Sequence, residues 1–374
     1  YLKVDLNCQP GECIALVMKN SPQYIEVLFA VLHAGLTAVP VNAKLHRREF
    51  AYILENSGAS HAFISDDFNE TIGELSDTIA TLKSFISVNS TAFQQIYNSP
   101  PLALQQCEPD AIAWLFYTSG TTGQPKGAML SQRNLMAMTQ SYFASVDTIE
   151  PGSTLLHAAP MSHGSGLYAF PNIAAGAHQV VSQSGSFEPE EILQLIKHYP
   201  QVSMFAAPTM IKRMVETAPA KDENTDNLKV MIYGGGPMYV ADIKVAIERF
   251  GNKFAQIYGQ GETPMTISCL NRADHLGRDD LPLDELLASV GCAQVPVEIR
   301  IADAEGVALP EGEVGEILVS GDTVMRGYWQ NPEATAKTIV DGWLYTGDMG
   351  MLNAQGYLTL KDRSKDLIIS GGTN

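Results

Sequence analysis

Positive charge is scarce in this 374-residue chain: 24 Lys and Arg stand against 41 Asp and Glu, a net charge of -17. Binding to nucleic acid rests on neutralising phosphates with Lys and Arg, so that class of partner is excluded. No run of eighteen apolar residues occurs, and no helical membrane span is expected. No charged-then-apolar leader opens the chain, so a secretion signal is not expected. The first residue is Tyr1 and no initiator Met is present, which predicts a fragment. Cysteine is limited to five residues, an odd number that forms no set of metal-ligand pairs. This usage fits a reducing cytoplasm, and Cys13 reads as a small core residue. Internal repeats and low-complexity segments are absent.

Hydrophobic residues are plentiful, at 45% against 17% charged, enough for a large core in more than one lobe. Cys13 to Met18, Leu36 to Val41 and His61 to Ser65 read as strands. Between them, Ser21-Pro22 opens a helix that ends at Gly35, and Arg47 to Asn56 forms another. A polar, Pro-containing connector is expected over 89–109. Strands then recur at Leu155–Ala159, Gln179–Ser182, Val202–Ala206, Lys229–Tyr233 and Phe254–Tyr258, with helices from Glu188, Pro208 and Tyr239 among them. This is the rhythm of mostly parallel sheets covered by helices. Near residue 290 it changes: Val295 to Ala302, Val314 to Ser320 and Tyr357 to Lys361 are strands separated by hairpin turns. The expected fold class is α/β: two α/β lobes with mostly parallel sheets over 1–290, and a small antiparallel β-barrel subdomain over 291–361.

Chemistry concentrates in Tyr117-Thr118-Ser119-Gly120-Thr121-Thr122-Gly123-Gln124-Pro125-Lys126-Gly127. An apolar strand, Ala111 to Phe116, enters this stretch, and a helix opening at Ser131 is expected to follow. A glycine-rich turn there can aim backbone N–H groups at a phosphate. It is not the ordinary P-loop, whose lysine directly precedes a magnesium-binding Ser or Thr; here Lys126 precedes Gly127.

Further stretches follow in order: Met161-Ser162-His163-Gly164-Ser165-Gly166, Tyr233-Gly234-Gly235-Gly236-Pro237-Met238, Tyr258-Gly259-Gln260-Gly261-Glu262-Thr263, Gly327-Tyr328-Trp329, Tyr345-Thr346-Gly347-Asp348 and Lys361-Asp362-Arg363-Ser364-Lys365-Asp366. With the stretch at 117–127, this series resembles the adenylate-forming superfamily of acyl-CoA synthetases and related AMP-dependent ligases. The likeness spans nearly the whole chain and is strongest to fatty-acid or other carboxylic-acid CoA ligases.

The resemblance implies that a carboxylate attacks the α-phosphorus of ATP, releasing pyrophosphate, and that the thiol of CoA then displaces AMP. Such transfer is catalysed chiefly by positioning and charge neutralisation. By the same resemblance Thr118, Ser119, Gly120, Thr121, Thr122, Gly123 and Lys126 hold phosphates, and Glu262 holds Mg²⁺. Lys126, Glu262 and Thr263 form the implied catalytic set. Gly235, Gly236, Pro237, Gln256, Tyr258 and Gly259 surround the nucleotide, and Asp348 and Arg363 hold its ribose. His163, Ser165, Gly166 and Gly234 border the acyl group, with Tyr168, Ala206 and Met265 as further pocket candidates. Outside the series, Asp348 would be a turn residue, Tyr258 a core aromatic and Arg363 a solvated charge. For His163 a hydrogen-bonded structural role remains open.

One position departs from the family pattern: Gly261 stands where Thr usually precedes the acidic metal ligand. Either Thr263 takes over that hydroxyl's contact or the amide of Gly261 does. Residues 362–374 read as a hinge and the start of a truncated C-terminal domain, so the family's C-terminal catalytic lysine is absent and Lys365 is not its equivalent. The expected partners are a small carboxylic acid, ATP and CoA, in the cytoplasm; a homo-oligomer is left open. The rivals are an aryl-CoA ligase, an acyl-AMP ligase that loads a carrier protein, and a nucleotide-binding module without catalysis. The last predicts damage at Lys126, Glu262, Asp348 or Arg363, and all four are intact.

Overall fold

A computed structural model describes residues 1–118, 123–217 and 225–361. The first sheet comprises β1 (Cys13–Val17), β2 (Thr37–Val41), β3 (His61–Ile64), β4 (Ser84–Ser87), β5 (Ile112–Thr118) and β6 (Lys126–Ser131), in the order β4-β3-β1-β2-β5-β6. All neighbours are parallel except β5 and β6. Strand β1 is buried throughout, as a strand covered on both faces must be. Alternation then decides which core each residue joins: Ile14 and Leu16 pack with Tyr24 and Leu28, whereas Ala15 and Val17 pack with Phe50, Ile53 and Leu54. The helices Pro22–His33 and Arg47–Ser57 therefore cover opposite faces.

The second sheet contains β7 (Thr154–His157), β8 (His178–Val181), β9 (Val202–Ala206), β10 (Leu228–Tyr233), β11 (Phe254–Gln260), β12 (Thr263–Leu270) and β13 (Cys292–Ala293). Its order is β13-β12-β11-β10-β9-β7-β8, parallel from β8 to β11 and antiparallel beyond. One core is continuous between the two sheets; Trp114 of β5 and Phe29 both pack on Phe170, at centroid distances of 6.2 and 5.3 Å. The third sheet is antiparallel: β14 (Glu298–Ala302), β15 (Gly315–Ser320), β16 (Ile339–Val340), β17 (Trp343–Leu352) and β18 (Leu358–Leu360). The expected fold class is the observed one. Within the 89–109 connector a short helix, Thr91–Ile96, interrupts the polar run.

Three local expectations need correction. The glycine-rich stretch joins β5 to an antiparallel strand, with Thr118 opposite Lys126, so it is the connection of a β-hairpin. The helix expected to open at Ser131 is present as Gln132–Ser141, capped by Ser131, but it follows β6 and not the glycine-rich stretch directly. Second, Thr263 starts a strand after a two-residue turn formed by Gly261 and Glu262. Third, the strands expected at Val314 to Ser320 and Tyr357 to Lys361 are not successive: the ten-residue strand β17, which contains Tyr345 to Asp348, lies between them.

Candidate active site

The tip of the β11–β12 hairpin meets the end of β5. A Cβ on Gly261 would collide with Cγ2 of Thr118 and lie 2.6 Å from Cδ1 of Phe116. Glycine at 261 therefore lets the second sheet approach the first, and Glu262 beside it reaches Thr118, whose hydroxyl lies 3.4 Å from Oε1. Residues 325–329 close the third side. The Met325 amide donates to the Glu262 carbonyl at 2.8 Å, and the Arg326 and Trp329 amides donate to the carbonyls of Met129 and Gly127 on β6. This strap delivers Tyr328, whose hydroxyl donates to Oε1 of Glu262 at 2.7 Å. Lys126 sets its Nζ 4.8 Å from the centroid of the same ring. The desolvated Tyr328 hydroxyl, with the Glu262 carboxylate beside it, titrates far above the usual tyrosine range and stays a donor.

Among the described residues no hydrogen bond is made to Oε2 of Glu262, and no three His, Cys, Asp or Glu side chains converge. A cation held here would take one carboxylate oxygen and draw its other ligands from phosphates and water, which is how Mg²⁺ is commonly bound.

Asp348, on β17, sits beside the C-terminal end of β11. It is 6% exposed, and its Oδ2 accepts from the Tyr258 hydroxyl and from Nε2 of Gln260, each at 2.7 Å. Nε2 of Gln260 also donates to the Thr346 carbonyl at 3.0 Å. Tyr258 and Gln260 share one face of β11 because they are two residues apart. Above the neighbouring strand end lies the turn 234–238, whose Gly234 backs onto the Ile257 carbonyl. Below it, the buried Tyr233 hydroxyl sits 3.1 Å from Oε1 of Gln256 and 3.0 Å from Nε2 of His275.

His163 packs edge-on against Phe116 at 5.4 Å and shares a 2.9 Å hydrogen bond between its Nδ1 and the Ser162 hydroxyl. Desolvation pushes its pKa down to about 4, so the ring is neutral near pH 7. Gly164 lies against Phe205 and Met265. Two residues expected at the acyl group face elsewhere. The buried Ser165 hydroxyl pairs with Nδ1 of His157 at 2.9 Å, and a Cβ on Gly166 would run into the Met161 carbonyl, so that glycine serves packing. Thr263 is fully buried; its hydroxyl is 3.1 Å from that of Thr323 and 3.3 Å from that of Thr266. It therefore does not replace the missing hydroxyl at 261. Ser119, Gly120, Thr121, Thr122 and Arg363 lie outside the described residues, as does the 362–374 segment.

The structure thus brings Thr118, Lys126, Glu262, Tyr258, Asp348 and His163 to the junction of the three sheets. Phe116, Gln260 and Tyr328 join them without having been singled out as site residues. The two-residue spacing to Tyr258 and the aromatic run at 327–329 were the signals for Gln260 and Tyr328.

Two parallel-sheet lobes meeting an antiparallel subdomain at one polar junction form the large-domain architecture of adenylate-forming enzymes. The chain belongs to the AMP-binding enzyme family, whose model matches residues 1–329. A feruloyl-CoA synthase from Amycolatopsis sp is 32% identical over 98% of this chain and 71% of its own length. The fatty acid–[acyl-carrier-protein] ligase ScoC of Streptomyces coeruleorubidus is 33% identical over 98% of this chain and 70% of its own. Among solved structures, the amide bond synthetase McbA from Marinactinospora thermotolerans superposes with a TM-score of 0.90 at 28% identity, covering 100% of this chain and 74% of that one. No helix among the described residues is long and apolar enough to cross a membrane.

Proposed function

We propose that this chain forms the nucleotide and acyl site of an AMP-forming acid–thiol ligase, which activates a carboxylic acid as its acyl-adenylate and passes the acyl group to CoA. One observation carries the reading: Lys126, Glu262 and the preorganised Asp348 carboxylate share one junction, with an apolar wall of Phe116, Phe205 and Met265 beside it. Asp348, its orientation fixed by Tyr258 and Gln260, accepts from the ribose hydroxyls. Thr118 and Lys126 hold the β- and γ-phosphates while the acid's oxygen attacks the α-phosphorus and pyrophosphate leaves. Glu262 would hold Mg²⁺, which when bound neutralises charge on the phosphates. His163, neutral near pH 7, borders the acyl carbonyl without placing a charge there.

The apolar wall and the absence of a carboxylate among Tyr168, Ala206, Gly234 and Met265 support a fatty or other apolar acid over an amino acid. An aromatic acid is the second reading, favoured by the likeness to a feruloyl-CoA synthase; transfer to a carrier protein instead of CoA is favoured by the likeness to ScoC. The test is calorimetry with AMP, then with non-hydrolysable acyl-adenylates carrying alkyl, aryl and aminoacyl groups. Tightest binding of an alkyl or aryl analogue is expected. Tightest binding of an aminoacyl analogue, or no AMP binding, contradicts the proposal.

A further inference from the structure

Lys126 and Glu262 carry opposite charges and both touch one aromatic side chain, yet among the described residues no ion pair joins them. Opposite charges on either side of one ring attract, and in a half-buried cleft they tend to close on each other unless something holds them apart. What stands between them is Tyr328. Its face takes the ammonium at 4.8 Å, an arrangement favoured by the ring's quadrupole. Its hydroxyl donates to the carboxylate at 2.7 Å. The ring is itself fixed: the Tyr328 amide donates to the Thr335 hydroxyl at 2.9 Å, and amides on both sides of it pair with β6.

We propose that Tyr328 is a positioning residue that keeps Lys126 and Glu262 separate, ammonium on its face and carboxylate on its hydroxyl, so that both charges stay open to a polyphosphate and its cation. The role rests on the proposed function above. Among the described residues the hydrogen bonds to this carboxylate, from Thr118 and Tyr328, both go to Oε1 and leave Oε2 for a cation, as an outer partner orients a metal-binding carboxylate.

The experiment measures binding of MgATP, of ATP in EDTA, and of AMP to the protein and to Y328F, Y328L and E262Q. Removing an outer partner of this kind typically costs roughly 10–100-fold in metal affinity. Y328F, which keeps the ring, should weaken MgATP about tenfold and leave ATP in EDTA and AMP unchanged. Y328L, which lets Lys126 and Glu262 close on each other, should weaken ATP with and without the metal. In an E262Q background Y328F should add little, because the two changes act through one group. Y328F binding MgATP like the parent overturns the role, as does equal loss of AMP and MgATP, or an effect undiminished by E262Q. Should Y328L fail to fold, the Y328F comparison and its cycle decide alone. A parent protein that binds no nucleotide instead overturns the functional reading beneath it.

Discussion

Asp348→Asn isolates the negative charge proposed to face the ribose. In the structure Oδ2 already accepts from Tyr258 and Gln260, both at 2.7 Å, in a nearly buried setting. Truncation to Ala would take an acceptor from both donors, at up to about 1–3 kcal/mol each, and confuse folding with binding. Asn keeps the shape and one acceptor for those two donors, and its NH₂ replaces a charged acceptor. Hydrogen bonds to a charged group contribute about 1.5–3 kcal/mol against about 0.5–1.5 for neutral ones. A loss of about 1 kcal/mol for each of two ribose hydroxyls gives about 2 kcal/mol, or roughly thirtyfold in Kd. Calorimetry with AMP reads this directly, and 2′-deoxy-AMP should recover about half the difference between the two proteins. An Asn variant that binds AMP as tightly as the parent refutes the assignment. A parent that does not distinguish AMP from 2′-deoxy-AMP removes the 2′-hydroxyl from it.

Three other outcomes are expected. Glu262→Gln should slow magnesium-dependent adenylation on the order of a hundredfold or more, because an amide is a poorer ligand for a hard cation; unchanged pyrophosphate exchange across a Mg²⁺ titration would count against it. Gly261→Ala should destabilise the fold by about 1–3 kcal/mol through the clash with Thr118 and Phe116, and Thr118→Ser, which removes Cγ2, should recover part of that in thermal melts; no destabilisation would contradict the packing. Burial pushes the pKa of His157 down from 6.5 to about 4. The unfolded chain therefore takes up the proton first, and stability that is complete above pH 6.5 is lost as pH falls toward 4, by an amount of order 3 kcal/mol. Melting of His157→Gln should depend less steeply on pH in that window, and an unchanged slope would assign the loss to other groups.

Much of the fold was legible because buried parallel strands announce themselves. Residues 13–17, 37–41 and 202–206 are short, largely apolar runs between helix caps. Strand β17 was hidden by its own composition: Gly347, Asp348 and Gly350 break the apolar run, and between Tyr345 and Met349 the ladder to β15 shifts register, with Gly347 at a positive φ of 72°. The hairpin at 118–126 was missed because strand, glycine loop and helix is the familiar phosphate-binding order, and β6 is only six residues long. Thr263 was misplaced for a reason of period. In a hairpin whose turn is Gly261-Glu262, the next residue starts the strand, and Thr263 faces the core. Gly261 itself, a departure from the family pattern, is accounted for by the approach of Thr118 and Phe116, which no reading of one strand alone could supply.

The central claim is that nucleotide and acyl group occupy one continuous site at the junction of the three sheets. A calorimetric titration with a non-hydrolysable acyl-adenylate tests it most directly, repeated with saturating AMP and with saturating free acid. The expected result is one site per chain, tighter for the acyl-adenylate than for AMP, and competed by each half alone. Binding that AMP does not displace, or two independent sites for the nucleotide and the acid, would contradict it.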